Sequence, residues 1–396
     1  MKKLFYKLTA IIIAVILLLP ICLEVFGEEQ NANFETNSFG VAEGSLNLNC
    51  KSAILMEATT GTVLYSQNAE EALPPASVTK VMTLLLVMEA IDAGTIRVDD
   101  TVSISANAAS MGGSQVFLEE GEEMNVEDLL KSVVIASAND AAVALAEYVS
   151  GSVDAFVAKM NAKAAELGMT ATKFENVTGL DDTAENHLTS ARDIALMSCE
   201  LIKHKLVLEY SSIWMDTIRD GAFGLTNTNR LVRFYKGCTG LKTGSTLKAG
   251  FCISATAERD GLSLVCVIMG AETRDIRNAA ATTLLDWGFA NFALFKEEAG
   301  LSEPIAVKGS AVREVKGSYP AFSSVVRREE LSKIEKQVTC TNAVAAPIAA
   351  GEKVGEVAYL VGEKKIGSVD ICIEREIERI GFFEILCQIL AKSLLI

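Results

Sequence analysis

Pro74-Pro75-Ala76-Ser77-Val78-Thr79-Lys80-Val81-Met82-Thr83-Leu84-Leu85-Leu86-Val87-Met88 is the stretch on which the reading of this chain turns. The two prolines stop any extended run, and a helix is predicted from about Ser77 to Ala93, closed by Gly94. Apolar residues lie nearly all round it, so it belongs inside a large domain. Lys80 is the exception. A lysine in such surroundings is costly unless it has a task, and it follows Ser77 by one turn on the same face. Ser77, at the positive end of the helix dipole, and Lys80 therefore form a candidate nucleophile and base. Ser-x-x-Lys also occurs at Ser245 to Lys248, and an isolated match reads equally as an ordinary helix start with a solvated lysine.

Two further fragments follow in order. Ser137-Ala138-Asn139 falls in a helical stretch read from Val126 to Val149, where Ser137, Asn139 or Asp140 would serve as a cap. Lys242-Thr243-Gly244 reads as an edge-strand segment whose glycine allows close approach of a substrate backbone, or as a glycine turn with an exposed lysine. Around them the pattern is mixed. Ser52 to Leu64 reads as a hairpin over the turn Thr59-Thr60-Gly61. Helices are predicted at Val153 to Leu167, Ser190 to Ile202 and Ala279 to Phe295, and strands at Gly250 to Ala257 and Leu262 to Gly270. The class is α/β. Short Val/Ile runs then suggest a small β domain, and residues 374–396 carry a helical stripe of Ile380, Phe383, Leu386, Cys387, Leu390 and Leu394.

Composition narrows the function. The chain has 396 residues, 50% hydrophobic and 22% charged, enough for two or three folded domains. Its formal charge of −15 argues against phosphate neutralisation, so no nucleic-acid partner is expected. Residues 1–27 have three lysines, then an apolar run and a small residue, the order of a cleaved signal peptide; a retained anchor helix is the alternative. Residues 28–44 read as a flexible spacer. The nine cysteines show no Cys-x-x-Cys and no zinc spacing, and most sit in apolar runs where free buried thiols are expected.

With two histidines and no Gly-x-Ser-x-Gly, His-Glu-x-x-His, Walker loop or Gly-x-Gly-x-x-Gly, most other hydrolase and nucleotide chemistries lose ground. Ser77-x-x-Lys80, Ser137-x-Asn139 and Lys242-Thr243-Gly244, in that order, form the trio of penicillin-binding proteins and serine β-lactamases. With Asp140-Ala141-Ala142, Phe174-Glu175-Asn176, Gly179-Leu180-Asp181 and Gly240-Leu241 around it, the chain resembles the serine-type D-alanyl-D-alanine carboxypeptidases, the low-molecular-mass penicillin-binding proteins, from about Lys51 to Phe295. The resemblance implies a penicillin-binding/β-lactamase-like α/β domain over 45–297, with an antiparallel sheet flanked by helices. It further implies a small β domain over 298–373 and an amphipathic membrane-associating helix over 374–396. It implies removal of the terminal D-Ala from peptidoglycan stem peptides through an acyl-enzyme, with β-lactams as covalent inhibitors and no metal or organic cofactor. Ser77 would be acylated, Lys80 its base, and Ser137 and Asn139 would relay protons and place substrate. Lys242 and Thr243 would take the terminal carboxylate, with Gly244 letting the substrate approach. Backbone N–H groups of Ser77 and Ser245 would form the oxyanion hole.

Two features depart from that pattern. Thr239 stands where the family often has Asp, and the terminal helix is not basic, so attachment would rest on apolar burial. Arg277 reads either as a carboxylate-binding residue or as part of a surface salt bridge. A class A β-lactamase should add a glutamate that activates the deacylating water, and no convincing equivalent region lies between Ser137 and Lys242; a non-catalytic envelope scaffold is the rival of a different kind. The resemblance also places the protein beyond the cytoplasmic membrane, on its outer face.

Overall fold

The computed structural model describes residues 46–181 and 184–393, so the leader and the spacer lie outside the described residues. The hairpin forms as its sequence suggests, from β1 (Ser52–Glu57) and β2 (Val63–Gln67). Its turn is held by the buried Glu57 carboxylate, which accepts from Thr59 N at 3.0 Å, Thr60 N at 2.7 Å and Thr60 Oγ1 at 2.7 Å. Three strands from far along the chain, β3 (Cys238–Thr246), β4 (Gly250–Arg259) and β5 (Leu262–Ala271), complete a five-stranded sheet. Its order is β2-β1-β5-β4-β3, every neighbouring pair is antiparallel, and β3 is an edge.

Both faces of this sheet are covered, which explains why its central strand has no polar side. In β5, Leu264, Cys266 and Ile268 pack with Leu284, Leu285 and Phe289 of α6 (Arg274–Asn291). The alternate residues Val265, Val267 and Met269 join the core of the other helices. Those helices are α1 (Lys80–Asp92), α2 (Val126–Ala136), α3 (Asn139–Ser150), α4 (Val153–Glu166) and α5 (Ala191–Leu201). Ser190 caps α5, its hydroxyl accepting from Asp193 N at 3.1 Å.

Four boundaries differ from the sequence reading. The stretch from Ser77 opens as a 3-10 turn, Ala76–Thr79, before α1 begins at Lys80. Ala76 has φ +48°, a left-handed geometry that an ordinary helix start does not use. The single helix expected over Val126–Val149 is two helices, because Ser137 turns left-handed at φ +64° and Ala138 N donates back to Ser132 O at 3.0 Å, a helix stop normally made with glycine. The last helix of the first domain starts early, at Arg274, behind a Thr273 cap on Ile276 N. It ends at Asn291, where Phe292–Glu297 becomes a strand paired with Phe322–Arg327.

The remaining residues form the small β domain, with a sheet ordered Gly300–Leu301, Ser318–Tyr319, Lys364–Cys372, Lys353–Val361, Ile334–Cys340. Among the described residues, the helix expected over 374–396 occupies only α7 (Phe382–Ser393). Residues 374–381 are pinned to the β domain instead: Ile377 is buried and exchanges backbone bonds with Ile348 at 2.9 and 3.0 Å, and Ile380 N donates to Gly309 O at 2.8 Å. Leu394 lies outside the described residues. Each described cysteine is a free thiol.

Candidate active site

Ser77 sits in the 3-10 turn and Lys80 opens α1, so one turn separates them and their side chains meet, with Nζ 3.0 Å from Oγ. The amine is fully buried. It donates to Asn139 Oδ1 at 2.6 Å and to the Thr178 carbonyl at 2.8 Å. Burial lowers its pKa well below that of a free lysine, and the nearby Lys242 cation lowers it further, against a smaller opposing pull from Asp140. A neutral amine has two hydrogens and one lone pair. With the two hydrogens given to Asn139 and Thr178, the lone pair is left for Ser77 Oγ.

The helix break places the second fragment. Left-handed Ser137 brings its hydroxyl to the wall of the cavity that Ser77 lines, and Asn139 begins α3 with its side chain turned to Lys80. Asn139 is clamped on its other sides, donating from Nδ2 to Gly112 O and from its backbone N–H to Ser114 O, both at 2.7 Å. No side-chain cap closes this helix. Asp140, read as a possible cap, instead accepts from Val116 N at 3.1 Å and Leu118 N at 3.1 Å, which folds residues 112–118 over Asn139.

The third fragment lies on edge strand β3, in register with β4 so that Gly244 faces Cys252. Its glycine is required by contact. A Cβ at Gly244 would lie 2.7 Å from Ser77 N, 2.9 Å from Val78 N and 2.9 Å from Pro75 O, so only a residue without a side chain lets the strand abut the turn. Lys242 is fully buried and donates to Thr243 O at 2.9 Å; burial, then the neighbouring Arg277, brings its pKa down to about 7. Thr243 Oγ1 donates to Thr228 Oγ1 at 2.9 Å. Thr239, in place of Asp, bonds Thr256 Oγ1 at 2.8 Å.

Arg277 is not part of a surface salt bridge. It is buried, donates to Asn278 Oδ1 and Cys252 O, and has no carboxylate partner among the described residues; burial brings its pKa down to about 10. Ser77, Ser137, Thr243, Gly244, Ser245 and Arg277 all line one cavity of about 570 Å³. The structure thus brings the sequence-derived residues together, with Lys80 and Lys242 in its buried wall. Sequence reasoning missed Thr178, which acts through a carbonyl and has no side-chain signature. It also missed the support of Ala76, whose carbonyl accepts from Thr79 Oγ1 at 2.9 Å, while Gly179 packs so closely that a Cβ there would lie 1.8 Å from the Ala76 oxygen. His187 backs this turn, accepting from Glu175 N at 3.0 Å and lying 2.7 Å from Thr79 Oγ1.

Known proteins resemble this chain in sequence and fold. Residues 39–273 match the family of D-alanyl-D-alanine carboxypeptidases, and residues 302–379 match the C-terminal domain of penicillin-binding protein 5. The chain is 40% identical to the D-alanyl-D-alanine carboxypeptidase DacF of Bacillus subtilis, over 85% of this chain and 88% of that protein. It is 35% identical to DacC of Escherichia coli, over 83% and 84%. Among solved structures, penicillin-binding protein 5 of Haemophilus influenzae superimposes with a TM-score of 0.74 at 29% identity, over 84% of this chain and 99% of that one. Penicillin-binding protein D2 of Listeria monocytogenes, solved in its ampicillin-bound form, aligns at 34% identity and a TM-score of 0.57, over 62% of this chain and 99% of that one. The fold is that of the low-molecular-mass penicillin-binding proteins. The chain belongs to the D-alanyl-D-alanine carboxypeptidase family, hydrolases of the serine peptidase type.

Gly244→Ala tests the contact between strand and turn. The added methyl must push β3 away from Ser77, so acylation by a fluorescent penicillin is expected to fall by at least about ten-fold, the cost of displacing reacting groups by a fraction of an ångström to an ångström. The circular dichroism spectrum should be retained, and unchanged labelling would show that the abutment is not needed.

Proposed function

We propose that Ser77 attacks the carbonyl between the last two D-alanines of a stem peptide, with neutral Lys80 taking its proton. The observation that carries this reading is that Lys80 Nζ lies 2.6 Å from Asn139 Oδ1, 2.8 Å from Thr178 O and 3.0 Å from Ser77 Oγ, so a neutral amine whose two hydrogens go to the first two keeps its lone pair for Ser77. Ser137, whose hydroxyl lines the cavity, passes the proton on to the departing amine, and Asn139 fixes both Lys80 and the substrate amide. Lys242 and Thr243 hold the terminal carboxylate with Arg277 behind them, and Gly244 and Ser245 present backbone to the peptide. The N–H groups of Ser77 and Ser245 receive the developing oxyanion. Water then releases the acyl group from Ser77. β-Lactams enter the same path and stop at the acyl-enzyme. Among the described residues no Asp or Glu lines the cavity, which supports the peptidase over a β-lactamase that activates water with a glutamate. Intact and peptide mass spectrometry after benzylpenicillin tests the assignment: one adduct on Ser77, and none in Lys80→Ala, is expected, whereas an adduct elsewhere overturns it.

The two lysines have opposite requirements, and the pH profile follows. Lys80 must be neutral, so activity rises with pH through its depressed pKa. Lys242 must be charged to hold a carboxylate, so kcat/KM falls as pH rises through about 7. Lys242→Arg keeps the cation at higher pH, and its alkaline limb should move upward. A limb that stays in place would assign it to another group.

Residues 1–27 would direct export, and residues 45–297 and 298–373 would then act outside the cytoplasmic membrane as catalytic and β domains. Attachment falls to α7. Among the described residues no single helix is long and apolar enough to cross a membrane, and the 12 residues of α7 span only about 18 Å. Phe382 and Phe383 are 74% and 78% exposed, and Ile385 and Leu386 are exposed beside them. Each large side chain, fully buried, is worth about 1.5–3 kcal/mol, so interfacial insertion would hold the enzyme on the outer leaflet and tolerate salt. Truncation before Phe382 should leave an active enzyme that no longer pellets with liposomes; equal pelleting of both forms would exclude this anchor.

A further inference from the structure

The cavity beside Ser77 is larger than a departing alanine needs, and its charge is one-sided. Among the described residues, Arg230, Arg274 and Arg277 line it without an Asp or Glu, in a chain of formal charge −15. None of the three has an ion-pair partner among the described residues, although Asp275 follows Arg274 directly. They lie near enough for Arg274 and Arg230 to help depress the pKa of Arg277, after its burial. Arg277 stands behind the strand that carries Lys242 and Thr243, whereas Arg230 and Arg274 are exposed to solvent.

Their supports are built into the fold. Arg230 ends a turn fixed to the catalytic strand: Asn229 Nδ2 donates to Gly240 O at 2.8 Å, and Thr243 Oγ1 donates to Thr228 Oγ1 at 2.9 Å. The turn is also tied to the first helix of the Ser137 break, through Thr228 N to Ile135 O at 3.0 Å. Arg274 is the first residue of α6, behind its Thr273 cap. Two exposed cations on fixed supports, next to the end of the cleft assigned to a carboxylate, repel one another unless an anion joins them. One terminal carboxylate, already served by Lys242 and Thr243, does not account for them.

We propose that Arg230 and Arg274 form a second anion subsite on the leaving-group side of the cleft, which takes the side-chain carboxylate of an acidic D-residue whose α-carboxylate lies on Lys242 and Thr243. This rests on the reading above of where the terminal carboxylate sits, and it extends the substrate class beyond peptides ending in D-Ala. The chemistry is unchanged. The Ser77 Oγ–carbon bond forms as the peptide C–N bond breaks, the serine proton goes through Lys80 to the departing amine, and water later hydrolyses the ester.

The experiment compares N-acyl peptides ending in D-Ala-D-Glu, D-Ala-D-Gln and D-Ala-D-Ala. D-Gln matches D-Glu in shape and lacks its charge. The wild-type enzyme is expected to favour D-Glu over D-Gln by about ten-fold or more in kcat/KM, as a charge-assisted contact would give. The preference should shrink to within about two-fold in the Arg230→Gln, Arg274→Gln double variant and persist in part in the corresponding double Lys variant. Penicillin labelling of Ser77 shows that each variant is folded. Should a variant fail that check, salt titration of the wild type replaces it: the preference is expected to decline with ionic strength, and a preference indifferent to salt overturns the subsite. A wild-type ratio near one, or a ratio that survives both Gln substitutions, also overturns it. Turnover of the D-Ala-D-Ala peptide with a ratio near one defeats the subsite alone, whereas no turnover of any peptide and no penicillin adduct defeats the underlying reading with it.

Discussion

The arrangement depends on a lysine amine taken out of water. A buried ammonium costs on the order of several kcal/mol, so burial holds the Lys80 pKa well below that of a free lysine while its amine donates to Asn139 Oδ1 and the Thr178 carbonyl. This one constraint accounts for much of the surrounding geometry. Asn139 reaches Lys80 because the chain breaks at left-handed Ser137, and Thr178 reaches it because Gly179 leaves no side chain between that segment and the turn before Ser77. Asp140, held by the N–H groups of Val116 and Leu118, keeps the covering loop in place. Strained positions at Ala76 and Ser137 are thus tolerated where packing fixes them from several sides.

Electrostatics divide the molecule differently from its overall charge. The chain is acidic, yet Lys80, Lys242, Arg277, Arg230 and Arg274 cluster around one cleft that no acid lines among the described residues. Their roles separate by depth. Burial depresses both lysines, with Lys242 acting further on Lys80 and Arg277 further on Lys242, while Arg230 and Arg274 are exposed to solvent.

The β domain has another task. Its core, with Tyr359 stacked on Phe322 at 4.5 Å, holds no residue of the cleft, and residues 374–381 dock on it before α7 begins. The β domain thus takes no part in the cleft, and α7 follows it with exposed apolar side chains.

Patterning and local chemistry made the α/β class, the hairpin, the buried helix after Pro75, the β domain and the order of the three motifs legible from sequence. These depend on residues close together in the chain, whose periodicity reports the face they bury. The costly lysine on an apolar helix also marked the site. What sequence did not reveal depends on contacts made across long separations. Nothing near Ser137 announces a left-handed break without glycine, because that conformation is enforced by packing. A carbonyl such as that of Thr178 has no residue-type signature. The helix stripe at the end of the chain ran through residues 374–381, but Ile377 found a partner in Ile348, and a tertiary backbone pair outweighed local helical preference. Whether Arg277 would be a surface ion pair or a buried cation was likewise open until the strand bearing Cys252 was seen to enclose it, since burial belongs to the fold and not to the residue.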